Sequence, residues 1–481
     1  MNKVRTRFAP SPTGYVHVGN VRTALHSYLV ARHGKGDFVL RIEDTDQKRF
    51  VDGAERVVLE TLQWLGLDWD EGPELDGSEK GAYGPYHQTA RKENYLKWAQ
   101  VLIGKGLAYA DPYTPEQVEQ FRAEAKAAKK AFLYRDYRPE NPPEWDGSRP
   151  LRFKVPELKR YEWDDAVMGH LSAGPEALDD FILIKSDGLP TYNFAHVVDD
   201  HEMKITHVIR GQEYIASMPK YLSLYDALEF ERPVFACEAH IMAPDGNKKL
   251  GKRDGAKSVT EYRDAGYLPE AMLNFLASLG WNDGTEQEIF SKEELIEKFT
   301  LERVQKSGAR FDEKRLVWMN GQWIKQLELD DLYERVHGFW GPAGQKASAA
   351  GQKAVLAVVQ DRLKTLADLP SLTEYFFTEP KPNWQMVDSN KQLSKLPRTE
   401  HTKLLEQATH ALEAADFNSE EALQSALNEL LAETGQKPPV LFGLVRFALT
   451  WAQFSPGLPE TMHLLGRERT LARLQVAIDK A

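Results

Sequence analysis

A histidine and a glycine two positions apart, His17-Val-Gly19, follow a turn built from Pro10, Pro12 and Gly14, and far along the chain a dense basic run, Lys249-Leu-Gly-Lys252-Arg253, lies among glycines. The first pattern suits the amino end of a helix, where unpaired amides and the helix dipole favour an anion. There the glycine lets a phosphate or a flat base approach the backbone, and the histidine can donate a hydrogen bond to a phosphate oxygen. The second suits a loop whose cations close over a triphosphate. Arg7 and Arg210 can each offer a planar fork to a carboxylate, Glu43 can oppose an ammonium, and Tyr192 adds a hydroxyl. Taken singly, each has a plainer account. A His-x-Gly is a surface histidine and a turn glycine, charged strand ends form structural ion pairs, and a basic run is a solvated turn.

The elements that must position these residues can be read from periodicity. Residues 3–9 alternate Val4, Thr6 and Phe8 against Arg5, Arg7 and Ala9, which predicts a strand ending at the prolines. Val21, Ala24, Leu25, Tyr28 and Leu29 then form one stripe of a helix that Gly34 stops. Phe38-Val-Leu-Arg-Ile-Glu43-Asp44 is a second strand, so the chain opens with a βαβ unit, whose ligands bind at the carboxyl ends of strands. Helices are predicted over 52–67, over 90–106 and from the Thr114/Gln117 capping box to about Phe132, whose Lys126, Lys129 and Lys130 form a solvated face. Strands are predicted at 151–155, 180–185 and 205–209. Residues 189–200, from Leu189-Pro through Tyr192, His196 and Asp199-Asp200, have a strand-and-loop pattern that would bring a tyrosine to the crevice of Arg7 and Glu43. His196 is as readily a core or loop histidine as a substrate contact. Beyond residue 256 helices are expected at 267–280, from the Ser291/Glu294 capping box and at 311–321. After about residue 325 the pattern is helical throughout, with stripes at 404–412 and 422–431.

The 481 residues suffice for about three to four domains of ordinary size. No apolar run approaches the roughly 20 residues needed to cross a bilayer, so a soluble cytoplasmic protein is expected. Cys237 is the only cysteine, which excludes an intrachain disulfide. The net charge of −11 is unexpected for an RNA-binding protein, yet binding depends on local basic patches.

Pro-Ser-Pro-Thr-Gly14 followed by His17-Val-Gly19, with Lys249-Leu-Gly-Lys252-Arg253 downstream, resembles the paired HIGH and KMSKS signatures of class I aminoacyl-tRNA synthetases. Arg41-Ile-Glu-Asp-Thr-Asp46, Pro190-Thr-Tyr-Asn193, Val198-Asp-Asp200 and Val208-Ile-Arg-Gly211 are more narrowly similar to the bacterial glutamyl-tRNA synthetase family. Several motifs agreeing in order are far more specific than any one of them. The likeness is strongest from residue 3 to about 325.

The resemblance implies an α/β fold: a Rossmann-type catalytic domain split over 1–86 and 189–255, an inserted tRNA acceptor-binding domain at 87–188, a helical stem-contact domain at 256–325 and an all-helical anticodon-binding region at 326–481. It implies that His17, Lys249 and Lys252 are catalytic and that Gly19, Glu213 and Arg253 join them in holding ATP. Glutamate would be bound by Arg7, Ala9, Ser11, Glu43, Tyr192 and Arg210. Arg362, in Gln360-Asp-Arg362-Leu, matches an arginine that reads an anticodon base, although a surface ion pair is the commoner fate of such a residue. The implied partners are ATP with Mg²⁺, L-glutamate and tRNA(Glu), with tRNA(Gln) an open second acceptor, acting on a monomer.

No structural zinc is expected, because the insertion has no cysteine and His170 alone cannot build a tetrahedral site. Two departures stand out. Gly251 replaces the usual serine of the basic motif, removing a hydroxyl worth about 1 kcal/mol when paired, so slower activation is expected. Asn20 replaces the second histidine of the first motif. An RNA-binding paralogue without catalysis and a synthetase with a different glutamate acceptor are the competing readings.

Overall fold

The computed structural model describes residues 3–14, 16–251 and 257–481. It divides into two compact units, one of Met1–Tyr262 with Pro269–Glu313 and one of Arg263–Leu268 with Lys314–Ala481.

In the first unit the opening βαβ motif is present. Strand β1 (Arg5–Phe8) pairs in parallel with β2 (Asp37–Leu40), Arg5 opposite Asp37 and Phe8 opposite Leu40, and helix α1 (Val18–His33) links them. Val21, Ala24, Leu25, Tyr28 and Leu29 are all buried, as their spacing requires. All four residues of β1 are buried, including Arg5 and Arg7. The alternation there therefore separates two covered faces rather than core from solvent, the usual condition of a parallel strand. Strands His207–Gly211 and Val234–Glu238 form a second parallel pair, joined to β1 where Thr206 N donates to Arg5 O at 2.9 Å. The hairpin Tyr161–Asp165 and Gly169–Ala173 extends this sheet, with Asp165 paired to Phe235. A separate antiparallel sheet contains Ala108–Ala110, Leu151–Phe153 and Ile182–Ile184. Phe153, Phe194, Val197, Val208 and Leu222 belong to the core that supports these strands.

Residues 189–200 correct the strand-and-loop expectation, because Tyr192–Glu202 is a helix. Thr191 takes the extended conformation of an N-cap (φ −78°, ψ 157°), and Phe194, Ala195, His196, Val197, Val198, Asp199 and Asp200 are all buried. A helix covered on every side loses its amphipathic stripe, and the adjacent valines imitate a strand. The helix after Thr114 is also shorter than expected. Its capping box forms as expected, but Pro115–Ala127 ends before Lys129, which turns left-handed at φ 54°. The 90–106 helix begins at Lys92, after a 3₁₀ turn at Gln88–Arg91.

Among its described residues the second unit contains helices and turns and no strand, as the pattern predicted. Leu404, Leu405, Ala408 and Leu412 are buried in Arg398–Glu413, and Leu423, Leu427 and Leu430 in Glu420–Thr434. Gly435 closes the latter in the left-handed conformation that glycine adopts without strain. Arg362 lies in a single 3₁₀ turn, Gln360–Arg362, at the end of Ala349–Val359.

Candidate active site

A cleft of about 1160 Å³ opens at the carboxyl ends of the parallel strands, where a sheet of this kind leaves a crevice. Arg7, Ala9, Ser11, His17, Gly19, Glu43, Tyr192, Arg210, Glu213 and Lys249 all line it, although they come from six stretches of chain. Lys252 and Arg253 lie outside the described residues.

The two arginines differ in how they are satisfied. Arg7, at the end of β1, is neutralised: its Nε donates to Asp200 Oδ1 at 3.2 Å and its Nη1 to the Ile209 carbonyl at 3.0 Å. Arg210, from strand His207–Gly211, is 4 % exposed and has no carboxylate partner among the described residues. Its Nη2 contacts Met218 Sδ at 3.1 Å, whereas Nε and Nη1 find no acceptor. Its guanidinium sits 4.9 Å from the Tyr221 ring centre and 5.3 Å from that of Tyr214. Stacking can hold a cation in place, but it leaves the in-plane N–H groups unspent. A buried donor without an acceptor is costly, so this side chain is arranged for an anion from outside.

Beneath the cleft lies a buried ionic network. Arg41, which is fully covered, donates to Asp200 Oδ1 at 2.9 Å and to Glu43 Oε1 at 3.0 Å. Asp199 accepts from Gln88 (2.9 Å), Arg91 (2.6 Å) and Tyr95 (2.8 Å). Burial opposes ionisation of Asp200, yet the Arg7 and Arg41 charges outweigh it and hold its carboxyl far below the usual range. Burial pushes the Glu43 carboxyl up, and Arg41 and Arg7 offset only part of that effect. Glu43 thus gains from a cation brought to it. His196 packs against Tyr192 (4.8 Å between ring centres) and edge-on to Tyr221 (4.5 Å). Burial lowers its pKa to about 4, so the ring is neutral at physiological pH.

The other end of the cleft is built on the start of α1. His17 is the residue preceding the helix, in extended conformation (φ −83°, ψ 157°), and forms an isolated bridge with Ser258. A Cβ placed on Gly19 would meet no protein atom within 4 Å, so the first turn faces open space in the cleft. Lys249 is half exposed, its Nζ 3.8 Å from Glu213 Oε1, while Glu213 Oε2 is 3.6 Å from His240 Nδ1. The arrangement has an anion-seeking arginine and a buried acid at one end, and an open helix start beside a lysine at the other. It can hold a small molecule carrying both a carboxylate and an ammonium next to a polyphosphate.

Several positions that line or support the cleft carry little sequence signal. Arg41, Asp199 and Asp200 stand in the sequence only inside longer motifs, and Arg22, Thr23, His26 and Glu238 lie outside those motifs. The arginine within the α1 stripe and an acid ending a buried strand were the available clues.

A family model described as tRNA synthetases class I (E and Q), catalytic domain, matches residues 3–318, and one described as anticodon binding domain matches 331–478. The chain belongs to the class I tRNA synthetases of the E and Q group. Curated relatives in that family include the glutamate–tRNA ligases of Moorella thermoacetica, 41% identical over 99% of this chain and 98% of the relative, and of Clostridium botulinum, 41% identical over 100% and 99%. A crystal structure of a glutamate tRNA ligase from Elizabethkingia meningosepticum, in complex with its amino acid, matches with a TM-score of 0.86 at 34% identity, covering 99% of both chains. The glutamate-tRNA synthetase structure from Elizabethkingia anophelis matches at 0.84 and 33%, covering 99% of this chain and 100% of that one. Membership of this class brings ATP as a substrate. No helix among the described residues is long and apolar enough to cross a membrane.

No group of three or more His, Cys, Asp or Glu side chains among the described residues converges as a metal site. His170 is exposed and pairs with Asp164 at 3.0 Å. Among the described residues the cleft thus provides no cage for a resident Mg²⁺. A Mg²⁺ ion would enter on the nucleotide phosphates.

Proposed function

We propose that this enzyme is a glutamate–tRNA ligase that activates L-glutamate with ATP and transfers it to the terminal adenosine of tRNA(Glu). The observation that carries the reading is Arg210, a buried guanidinium with two unspent donors in a cleft that also holds Glu43, Tyr192 and an open helix start. The side-chain carboxylate of glutamate supplies the acceptor that Arg210 lacks, and the α-ammonium supplies the cation that favours ionised Glu43. Arg7, Ala9, Ser11 and Tyr192 complete that end. The side chain of glutamine ends in a neutral carboxamide and has no anion to offer Arg210, which favours glutamate. The curated relatives named above carry the same activity in their names.

The α-carboxylate then faces the nucleotide, held by His17, Gly19, Glu213 and Lys249, with Lys252 and Arg253 completing the basic motif. When the carboxylate attacks the α-phosphorus, negative charge grows on the equatorial oxygens and on the departing pyrophosphate. Histidine and lysine donors stabilise it electrostatically, and no proton transfer is required of them. The domain roles follow: residues 87–188 receive the acceptor end of the tRNA, 256–325 contact its stem and 326–481 bind its anticodon, with Arg362 at a base. We place the enzyme in the cytoplasm as a monomer.

Charging assays with radiolabelled glutamate and glutamine on purified tRNA(Glu) and tRNA(Gln) test the reading. Glutamate on tRNA(Glu), lost in Arg210→Ala and in Lys252→Ala, is the expected result, and the tRNA(Gln) lane measures acceptor range. Failure to charge either tRNA with either amino acid overturns it in favour of an RNA-binding paralogue.

A further inference from the structure

The nucleotide end of the cleft contains a buried acid–base cluster that the chemistry above does not use. Glu238 is the last residue of strand Val234–Glu238, is 1 % exposed and still lines the cleft. Its carboxylate is held from α1 by two side chains one turn apart: Thr23 Oγ1 donates to Oε2 at 3.0 Å, and His26 Nδ1 bonds to Oε1. Arg22 stands 4.0 Å from Oε2 and donates to the carbonyls of Ala239 and Leu279. His26 is fully buried and packs on Phe299, with ring centres 4.7 Å apart.

The consequence is geometric. α1 carries His17 and Gly19 at its open end, and the segment after Glu238 carries Ala239, His240 and Ile241 along the same cleft. Contacts from Arg22 and Thr23 and, one turn on, from His26 join these two walls at Glu238 and Ala239. Burying a carboxylate here is unfavourable unless its partners stay in place, so the cluster penalises any slide of α1 along the strand.

We infer that Glu238 is a positioning residue for ATP, its bridge to Thr23 and His26 setting the distance between the amino end of α1 and the Ala239–Ile241 wall. The bonds of its carboxylate go to Thr23, His26 and Arg22 and to none of the glutamate-binding side chains named above, so its effect is assigned to the nucleotide rather than the amino acid. This rests on the nucleotide reading of the cleft. A small displacement of one wall is enough for a large loss in such a site.

The test is ATP affinity by calorimetry on the full-length protein, with ATP and glutamate KM and kcat from pyrophosphate exchange run in the presence of tRNA(Glu) and Tm recorded beside them. Glu238→Ala is expected to weaken ATP about tenfold and to leave the glutamate KM within about twofold. Glu238→Gln, which keeps an acceptor for Thr23, should recover part of the loss. Thr23→Val removes one contact at nearly constant volume and should cost a smaller factor, which keeps the inference testable if Glu238→Ala does not fold. Parallel loss of ATP and glutamate, or a lower Tm with unchanged ATP affinity in these variants, would reduce Glu238 to a stability role and overturn it. If wild type binds ATP but charges no tRNA, the ligase reading falls while the calorimetry still judges Glu238. Absence of ATP binding in wild type overturns both.

Discussion

At the scale of single residues, the contrast between Arg7 and Arg210 decides what the cleft can hold. Arg7 is already paired with Asp200, so its charge is spent within the protein, whereas Arg210 keeps two buried donors in reserve. Removing one partner of a buried, hydrogen-bonded charge pair costs about 2–5 kcal/mol. Arg210→Gln should therefore lower kcat/KM for glutamate by about 10² to 10³, with the ATP KM nearly unchanged, in steady-state charging assays. His196 makes a second prediction. Its folded pKa of about 4 lies below the ordinary 6.5, so the unfolded chain binds the extra proton first. Stability contributed by the neutral ring is complete above pH 6.5 and is lost as pH falls from 6.5 through 4, by about 3 kcal/mol in all. Denaturant midpoints of wild type and His196→Gln should converge on acidification over that window. Equal pH slopes would refute the assignment.

At the scale of elements, the supports of the cleft are tied by titratable bridges. His87 lies between Glu55 of helix Ala54–Trp64 and Glu79 of the short hairpin Gly72–Pro73/Glu79–Lys80, at 3.0 and 2.8 Å. The hydrogen bond to Glu55 leads, burial opposes, and Glu79 adds to a rise of its pKa to about 9. Here the sign is opposite to that of His196. The bridge stabilises fully below pH 6.5 and fades as pH rises through about 9. His87→Gln should therefore lower Tm at pH 6 and have little effect at pH 9.5. A simpler element makes a simpler prediction: Thr114 caps Pro115–Ala127 in a complete capping box, and Thr114→Ala should cost about 1 kcal/mol in urea unfolding.

At the scale of the whole molecule, a net charge of −11 leaves the approach of RNA to individual cations such as Arg362. Arg362 is exposed and no ion pair to it is found among the described residues, so the surface salt bridge that such an arginine commonly makes is absent there. Burial, with the Arg362 charge nearby, lowers the pKa of Arg446, and neighbouring cations of this kind favour a polyanion. Arg362→Ala should raise the KM for tRNA about tenfold while the ATP and glutamate KM values at saturating tRNA stay constant. Arg362 falls within residues 331–478, which match an anticodon binding domain and, among the described residues, form helices and turns without a strand.

Periodicity alone determined the βαβ opening, the capping boxes at Thr114 and Ser291 and the helical second unit, because these depend on residues within a few positions of one another. The family resemblance implied that ten separated residues share one site, and they line one cleft because strand ends in a parallel sheet converge wherever their loops lead. Tertiary structure alone decided the state of each charge. Arg7 and Arg210 have the same side chain, but one meets Asp200 across 193 residues of chain and the other meets no acid among the described residues. It also decided that Tyr192–Glu202 is helical, since burial on every side erases the stripe by which a helix is recognised, and that Glu238 meets Thr23 and His26. Such pairings are set by packing between distant elements, and local sequence carries no record of which partner will arrive.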